Sequence, residues 1–247
     1  MRTVIDTENF KVSIIENESS HVTLCFTGIG HAIGGIDIQS EEFIKSSMMS
    51  TSLFIVDKHR SWGNNIDFSE LKKILDPYIK DKIVNSIGNS MGGFLAILAS
   101  KFFDIKCTVA IVPQFSVSKK IIPSESRWDN YVDKIKEWKY ESLVDSFNDD
   151  TQYYILAGTG GRDDNHLKLI PNKKNIHKIY FKNVRFIHDV ANILKHDGLL
   201  YPVIQDCFKG VNSSEIIRSH FTNDEYEISE LIELDLSSPL KCNLKNT

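Results

Sequence analysis

A serine flanked by glycines is the residue with the clearest chemical role in this sequence. Residues 88–92 are Gly-Asn-Ser-Met-Gly, which matches the pattern G-x-S-x-G, with an apolar strand-like run before it and an apolar helix-like run after it. So tight a turn strains the serine backbone and leaves no room for side chains two residues to either side, where glycine is needed. The pattern predicts a nucleophile at Ser90, and a serine that only caps the following helix is the alternative.

A serine hydroxyl attacks only when a base accepts its proton, and the base needs a carboxylate to orient it. In the chain order typical of this motif, the acid and then the histidine follow the serine. His188 comes after a predicted strand and is the predicted base, with a surface or helix-capping histidine as the alternative. His166 is a weaker candidate because it lies too close to the acid, and His196 because it lies inside a predicted helix.

Two adjacent aspartates compete for the role of the acid. The predicted strand Tyr153–Ala157 runs into a glycine-rich turn that ends in Asp163 and Asp164, at the sheet edge where such folds gather their ligands. Leu167, three residues after Asp164, is the apolar anchor that usually follows this acid. We therefore favour Asp164, with Asp163 as the alternative and the remaining aspartate as a structural turn residue.

Backbone amides are the predicted source of oxyanion stabilisation. The helix after the serine directs its free N–H groups and the positive end of its dipole at the developing charge, with the Met91 N–H as one donor. The second donor is expected in the loop after the predicted strand Val22–Phe26. There Gly28 and Gly30 allow close backbone approach, so the Ile29 N–H is the predicted second donor.

Apolar runs of strand length alternate with helix-like stretches along most of the chain, which predicts an α/β fold with a mostly parallel sheet. The strand runs are continuously apolar, as expected when helices cover both faces of the sheet. A short polar turn joins the first two runs, so an antiparallel pair is predicted there. The predicted strands are Phe10–Ile15, Val22–Phe26, Leu53–Val56, Lys82–Ile87, Cys107–Val112, Tyr153–Ala157 and Lys178–Phe181, and the predicted helices are Ser69–Ile79, Met91–Phe103 and Val190–Lys195.

Two segments stand outside this alternation within what is otherwise a single predicted domain. In residues 113–150, aromatic and aliphatic residues recur at roughly helical spacing without a strand signal, which predicts a helical insertion that covers the site as a lid. In residues 221–247, a capping box and a hydrophobic staple predict a short acidic helix over residues 223–234, followed by a tail.

Composition limits the class of protein. Of the 247 residues, 41% are hydrophobic and 25% charged, which excludes a disordered, collagen-like or membrane-spanning chain. Lysine and arginine (29) against aspartate and glutamate (33) leave a formal charge of −4. This balance gives no support for a nucleic-acid partner.

Targeting and redox signals point to the cytoplasm. No run approaches the ~18 apolar residues of a membrane helix, and the first ten residues lack the apolar core of a signal peptide. The four cysteines are isolated, so we expect free thiols in a reducing compartment and no metal site. They are Cys25, Cys107, Cys207 and Cys242.

The serine turn with its glycines, the loop 27–30 and the order of serine, acid and histidine resemble the α/β-hydrolase superfamily over residues 20–205. More narrowly, four segments are similar to those of bacterial members associated with surface polysaccharides, in particular capsule polysaccharide O-acetyltransferases. They are residues 88–93, 112–116, 125–128 and 188–194. The resemblance implies the α/β-hydrolase fold and acetyl transfer from acetyl-CoA, as co-substrate and with no cofactor, to a polysaccharide acceptor.

Three functions stay open at this point. With the resemblance we favour an O-acetyltransferase that works through an acetyl-serine intermediate. A serine esterase acting on carbohydrate or small acyl esters would use the same groups, and a non-catalytic binding module would need a damaged triad, which is not visible.

Three further side chains are candidates for binding substrate. Trp128 and Trp138 of the insertion suit sugar rings, with ordinary helix packing as the alternative. Arg60 belongs to a basic cluster suited to phosphates of CoA or of the polymer, with a solvated loop as the alternative. A homo-oligomer and a peripheral position at the inner membrane also stay open.

Overall fold

The elements of the fold lie in residues 1–33, 36–187, 189–222 and 226–229, which the computed structural model describes. The strands are β1 (Arg2–Asp6), β2 (Phe10–Ile15), β3 (His21–Phe26), β4 (His31–Ile33), β5 (Ile36–Ile38), β6 (Thr51–Asp57), β7 (Ile83–Asn89), β8 (Ile105–Ile111), β9 (Gln152–Gly158), β10 (Ile176–Phe181) and β11 (Ile228–Ser229). The α-helices are α1 (Phe68–Ile79), α2 (Met91–Ala99), α3 (Asp129–Val132), α4 (Asp164–Leu167), α5 (Val190–His196), α6 (Leu200–Phe208) and α7 (Ser213–His220), and short 3₁₀ helices cover Ile44–Met48 and Val184–Phe186.

Strands β6, β3, β7, β8, β9 and β10 form the parallel centre of the main sheet. Within the described residues, the main sheet has nine strands in the order β1-β2-β6-β3-β7-β8-β9-β10-β11. Each neighbouring pair from β6 to β10 is parallel, whereas β1, β2 and β11 pair antiparallel at the two edges. The predicted α/β class with a mostly parallel sheet is confirmed.

Helices cover both faces of this sheet. Leu71 of α1 and Leu95 of α2 belong to the apolar core on one face, and Leu194 of α5 and Ile204 of α6 belong to the core on the other. Every residue of β6 is buried. This is why the strand sequences are continuously apolar, since a strand between two helical layers has no solvent face.

The predicted antiparallel pairing of the first two apolar runs, β2 and β3, is wrong. They do run in opposite directions, but β6 lies between them, antiparallel to β2 and parallel to β3. The turn between them crosses the start of β6, where the Asn17 N–H donates to Thr51 Oγ1 at 3.0 Å and Thr51 Oγ1 donates to the Asn17 carbonyl at 2.8 Å. A short turn therefore connects two strands that are not neighbours.

The insertion at residues 113–150 is ordered but is not helical. Its only helix within the described chain is the four-residue α3. Side chains satisfy much of its backbone instead, as where Asn64 Oδ1 accepts the N–H groups of Lys139 and Tyr140 at 2.7 and 2.8 Å. Polar side chains that bond to the backbone compete with helix formation. The helical spacing of its aromatic residues was therefore a misleading signal.

The prediction of a C-terminal helix over residues 223–234 is wrong for residues 226–229, the part of this range that the structure describes. Ile228 and Ser229 form β11, which pairs antiparallel with β10. The predicted staple residues Phe221 and Tyr226 do contact each other, with ring centroids 5.2 Å apart. They pack on Phe181 of β10, so a sheet edge takes the segment that the local pattern favoured as helix. Residues 223–225 and 230–247 lie outside the described residues.

Backbone contact between α2 and the sheet requires glycine at two positions. A Cβ on Gly88 would lie 2.0 Å from the Gly92 carbonyl oxygen, and a Cβ on Gly92 would lie 2.3 Å from the Phe26 carbonyl oxygen. No real Cβ contact is that short. These two glycines therefore let α2 start directly against the ends of β7 and β3.

Alanine at Gly88 should destabilise the protein far more than alanine at Gly93. A Cβ on Gly93 would meet Pro113 Cβ at 3.1 Å and the Ile111 carbonyl oxygen at 3.2 Å, which small shifts relieve, whereas the 2.0 Å contact at Gly88 cannot be relieved in that way. We expect Gly88→Ala to lower the free energy of unfolding by about 3 kcal/mol or more, and Gly93→Ala to change it by less than about 1 kcal/mol. Chemical denaturation measures both. Equal losses in the free energy of unfolding would contradict the view that the close contact between Gly88 and α2 specifically requires glycine.

Candidate active site

Ser90 lies at a strained turn between β7 and α2. Its backbone angles are φ 57° and ψ −118°, a conformation that costs a residue with a side chain on the order of 1–3 kcal/mol. The turn is held because the Ser90 N–H donates to the Ile111 carbonyl at 2.9 Å and the Ser90 carbonyl accepts the Phe94 N–H at 3.1 Å. The Ser90 side chain makes no capping hydrogen bond to α2, which removes the helix-cap alternative.

A cavity of about 330 Å³ opens beside Ser90. Small-molecule sites are typically ~300–1,000 Å³, so this volume suits a small acyl group with part of its partner. The wall combines a glycine-rich backbone on one side with charged and aromatic side chains on the other. The lining residues are Gly28, Ile29, Gly30, Glu42, Asn89, Ser90, Val112, Arg127, Trp128 and Asp163.

The two amides predicted as oxyanion donors have no acceptor among the described residues. In the loop after β3, the Thr27 N–H is bonded to β6 and the Gly28 N–H donates to Glu42 Oε1 at 3.0 Å. No described residue accepts the N–H of Ile29, the next residue in the loop. Met91 is the first residue of α2, so its N–H has no acceptor inside the helix.

Glu42 brings a carboxyl group into the same wall. Burial raises the pKa of Glu42 to about 7, although the hydrogen bond from the Gly28 N–H opposes the shift. The group is therefore partly protonated at neutral pH. The side-chain Oε1 of Glu42 can accept the Gly28 N–H whether the carboxyl group is ionised or protonated.

The predicted base, His188, lies outside the described residues, but the chain on either side of it is described. A Cβ on Gly158, at the end of β9, would lie 2.2 Å from the Phe186 carbonyl oxygen. The turn before His188 therefore packs directly on the strand that leads to the two aspartates. A Cβ on Gly160 would lie 3.7 Å from Ile187 Cδ1, which shows that the two loops are adjacent.

Asp163 and Asp164 have different surroundings. Asp163 is buried and lines the cavity, and its Oδ1 lies 2.7 Å from Arg127 Nη1. Asp164 is half-buried and accepts the Gly160 N–H at 3.1 Å. Desolvation raises the pKa of Asp164 despite that bond. Asp163 is thus the member of the pair that shares a cavity with Ser90.

The two histidines that compete with His188 for the role of base do not line the Ser90 cavity. His166 is fully buried, and its Nδ1 accepts the Phe115 N–H at 3.2 Å while its Nε2 lies 2.8 Å from Glu125 Oε2. This pattern places the proton on Nε2 and leaves no nitrogen free to act as a base. His196 is 90% exposed at the end of α5 and contacts Asp197.

A cluster of charged side chains in the wall of the cavity was not predicted from the sequence. Arg127 Nη2 lies 2.6 Å from Glu125 Oε2, while its Nη1 contacts Asp163. Burial opposes ionisation of Glu125, but hydrogen bonds from His166 and Arg127 outweigh it and hold the pKa of Glu125 well below its usual range. The signal for it in the sequence is the run of residues 125–128, in which an acidic and a basic side chain lie two residues apart.

The predicted substrate-binding residues separate into two groups. Both tryptophans pack on the main core, but only Trp128 is among the residues that line the cavity. Arg60 is not in an exposed cluster, because it is 8% exposed and its Nε donates to the Ile29 carbonyl at 2.8 Å. Its guanidinium also lies over the ring of Tyr131, 5.3 Å from the centroid.

The predicted free thiols are present where the chain is described. Cys25, Cys107 and Cys207 are unpaired and buried, and burial raises the pKa of each thiol above its usual range. Cys242 lies outside the described residues.

Within the described ranges, no group of histidine, cysteine and acidic side chains could hold a metal ion, and no helix is long and apolar enough to cross a membrane.

Ionised Glu125 should stabilise the fold in a pH-dependent way. Its folded-state pKa lies below the ~4.3 of an unfolded chain, so its contribution is complete above about pH 4.3 and is lost as the pH falls further. We expect the free energy of unfolding of the wild type to fall more steeply below about pH 4.3 than that of Glu125→Gln, by up to about 1.4 kcal/mol per pH unit. Urea titrations at several pH values measure both slopes, and parallel slopes would contradict an ionised Glu125.

No family profile matches the chain, and no curated protein matches its sequence. Solved structures share its fold. The capsule O-acetyltransferase of Neisseria meningitidis serogroup A aligns with a TM-score of 0.59 at 15% identity, over 81% of this chain and 93% of that one. A mutant of that protein in complex with CoA aligns with a TM-score of 0.57 at 14% identity, over 78% of this chain and 91% of that one.

Hydrolases share the fold as well. The α/β superfamily hydrolase from Oenococcus oeni PSU-1 aligns with a TM-score of 0.53 at 12% identity, over 85% of this chain and 100% of that one. Identities this low show the fold alone. The α/β-hydrolase fold that the motifs predicted is thereby confirmed, and the protein is similar in structure both to a capsule O-acetyltransferase and to hydrolases.

Proposed function

We propose that this protein is an O-acetyltransferase that moves an acetyl group from acetyl-CoA to sugar hydroxyls of a capsular or surface polysaccharide through acetyl-Ser90. The observation that carries the proposal is the strained Ser90 turn, which borders a cavity that Ile29 also lines. The Ile29 N–H has no acceptor among the described residues. The shared fold of a capsule O-acetyltransferase, solved in one case with CoA, supports the donor and the acceptor class.

In the first half-reaction, Ser90 Oγ attacks the acetyl carbon of acetyl-CoA while His188 accepts the hydroxyl proton. The carbonyl electron pair moves to its oxygen, and the N–H groups of Ile29 and Met91 stabilise the oxyanion. Collapse of this intermediate breaks the carbon–sulfur bond. The CoA sulfur leaves with the proton from His188, and Ser90 remains acetylated.

In the second half-reaction, a sugar hydroxyl attacks the acetyl-Ser90 carbon and gives its proton to His188. Collapse breaks the bond to Ser90 Oγ, which takes that proton back, and the acetyl ester remains on the sugar. Water in place of the sugar would release acetate, so transfer requires an oriented acceptor and restricted water. Arg127 and Trp128 from the insertion 113–150 line the cavity, which supports a role for this segment on the acceptor side.

Asp163 suits the role of triad acid better than Asp164, which the sequence favoured. An acid that orients a histidine must stay ionised and close to the reacting groups. Asp163 lines the Ser90 cavity, and its Oδ1 lies 2.7 Å from Arg127 Nη1, so its carboxyl group lies close to the reacting groups. The raised pKa of Asp164 and its bond to Gly160 suit a structural turn residue instead.

The compartment follows from the proposed donor. Acetyl-CoA is consumed where thiols stay reduced, and the buried free thiols of Cys25, Cys107 and Cys207 fit such a compartment. We therefore place the reaction in the cytoplasm, with a peripheral position at the inner membrane included because the acceptor is a surface polymer.

Labelled acetyl-CoA tests the function. Wild-type protein should acquire label on Ser90 and pass it to a capsular polymer, whereas Ser90→Ala should acquire none, with turnover lower by ~10⁴–10⁶. Mass spectrometry of the Ser90 peptide and counting of polymer-bound label measure the two steps. Acetate release that polymer does not reduce would establish the serine esterase instead, and an unlabelled wild type would exclude acetyl-CoA as donor.

Paired amide variants test the acid. Asp163→Asn should lower the rate of Ser90 acetylation by about 10⁴, the loss that follows when a triad histidine loses its orienting carboxylate. Asp164→Asn should lower it by less than about tenfold. Circular dichroism must first show that both variants are folded, since Asp163→Asn also weakens an ion pair. The reverse ranking would assign the role to Asp164.

A further inference from the structure

Three consecutive peptide groups of the loop after β3 are each held by a side chain. The Gly28 N–H donates to Glu42 Oε1 at 3.0 Å, and the Gly28 carbonyl accepts a hydrogen bond from Gln39 Nε2 at 3.0 Å. The Ile29 carbonyl accepts one from Arg60 Nε at 2.8 Å. All three side chains come from outside the loop, so tertiary contacts set its orientation.

The bond from Gln39 has a geometric consequence for the next amide. The Gly28 carbonyl and the Ile29 N–H belong to one planar trans peptide, in which they point in opposite directions. Holding the carbonyl on one side therefore commits the N–H to the other. Ile29 lines the cavity together with Ser90, and its N–H has no acceptor among the described residues.

We infer that Gln39, Glu42 and Arg60 are positioning residues that aim the Ile29 N–H at the oxyanion formed during attack by Ser90. A donor that is already oriented needs no reorganisation when the charge develops, which is what makes backbone amides effective there. The inference rests on the proposed acyl-enzyme chemistry. It assigns Arg60 to the loop and not to phosphates of a ligand.

The side chains of Gln39 and Glu42 act through different atoms, which makes them separable by mutation. Gln39 must donate, so Gln39→Leu removes the contact and Gln39→Glu keeps the size while replacing the donor with an acceptor. Glu42 must only accept, so Glu42→Gln keeps the contact through the amide oxygen, whereas Glu42→Leu removes it. Gln205, which is exposed on α6, offers Gln205→Leu as a matched control.

The experiment follows single-turnover acetylation of Ser90 by p-nitrophenyl acetate in the full-length protein, together with binding of methylboronic acid. The boronic acid forms a tetrahedral anionic adduct with a serine and so reports on the oxyanion donors. We expect Gln39→Leu, Gln39→Glu and Glu42→Leu to lower the limiting acetylation rate by about tenfold to a hundredfold. Their half-saturation constants for the ester should not change, and boronate affinity should fall by the same factor as the rate. Gln205→Leu should match the wild type, and Glu42→Gln, which keeps an acceptor for the Gly28 N–H, should lose less of the rate than Glu42→Leu.

Each result has one meaning. Wild-type rates in Gln39→Leu and Gln39→Glu would overturn the inference while leaving acetyl-Ser90 chemistry intact. A wild type that is itself not acetylated would overturn the proposed function instead. The inference would also be overturned if the variants raised the half-saturation constant for the ester and lowered thermal stability while boronate affinity stayed unchanged. That result would make these side chains structural. The isosteric Gln39→Glu keeps the test informative if Gln39→Leu does not fold.

Discussion

The direct backbone contact of β7, α2 and β3 at Gly88 and Gly92 is the constraint on which the site depends. It lets the chain reverse within the few residues between strand and helix, and it forces Ser90 into a conformation that a free chain would avoid. The same contact brings the first amide of α2 next to the loop after β3. One packing contact therefore positions both the proposed nucleophile and the amides proposed as oxyanion donors, and the strain at Ser90 is offset by the buried apolar residues of α2.

Two buried carboxyls near the cavity show how environment sets charge. Glu125 has an arginine and a histidine as donors, and its pKa lies well below the usual range. Glu42 has only the Gly28 N–H, and burial raises its pKa to about 7. Because desolvation acts on both, the difference comes from the charged donor that one has and the other lacks. The wall near Arg127 thus contains an ionised carboxylate, while the wall near Gly28 contains a carboxyl group that can become neutral.

Residues 113–150 contribute to the site without regular secondary structure. Their backbone is held by side chains such as Asn64, and their apolar residues Leu143 and Phe147 are buried in the core. A segment fixed at several points can present Arg127 and Trp128 to the cavity at defined positions. This fixed arrangement suits the side of the cavity that we propose binds the acceptor.

The sequence by itself determined the parallel α/β class, the seven apolar strands and the turn at Ser90, because continuous apolar runs and paired glycines are local signals. It missed β1, whose exposed and half-buried residues carry only a weak pattern, and it mistook β11 for helix. Only the tertiary structure decided that β6 separates β2 from β3, that Arg60 points into the loop beside Ile29, and that His166 is occupied by Glu125 and Phe115. The contacts of Arg60 and His166 join residues between 31 and 51 positions apart in the sequence. No periodicity or motif encodes which side chain meets which across such a separation, since that is settled by the packing of the whole chain.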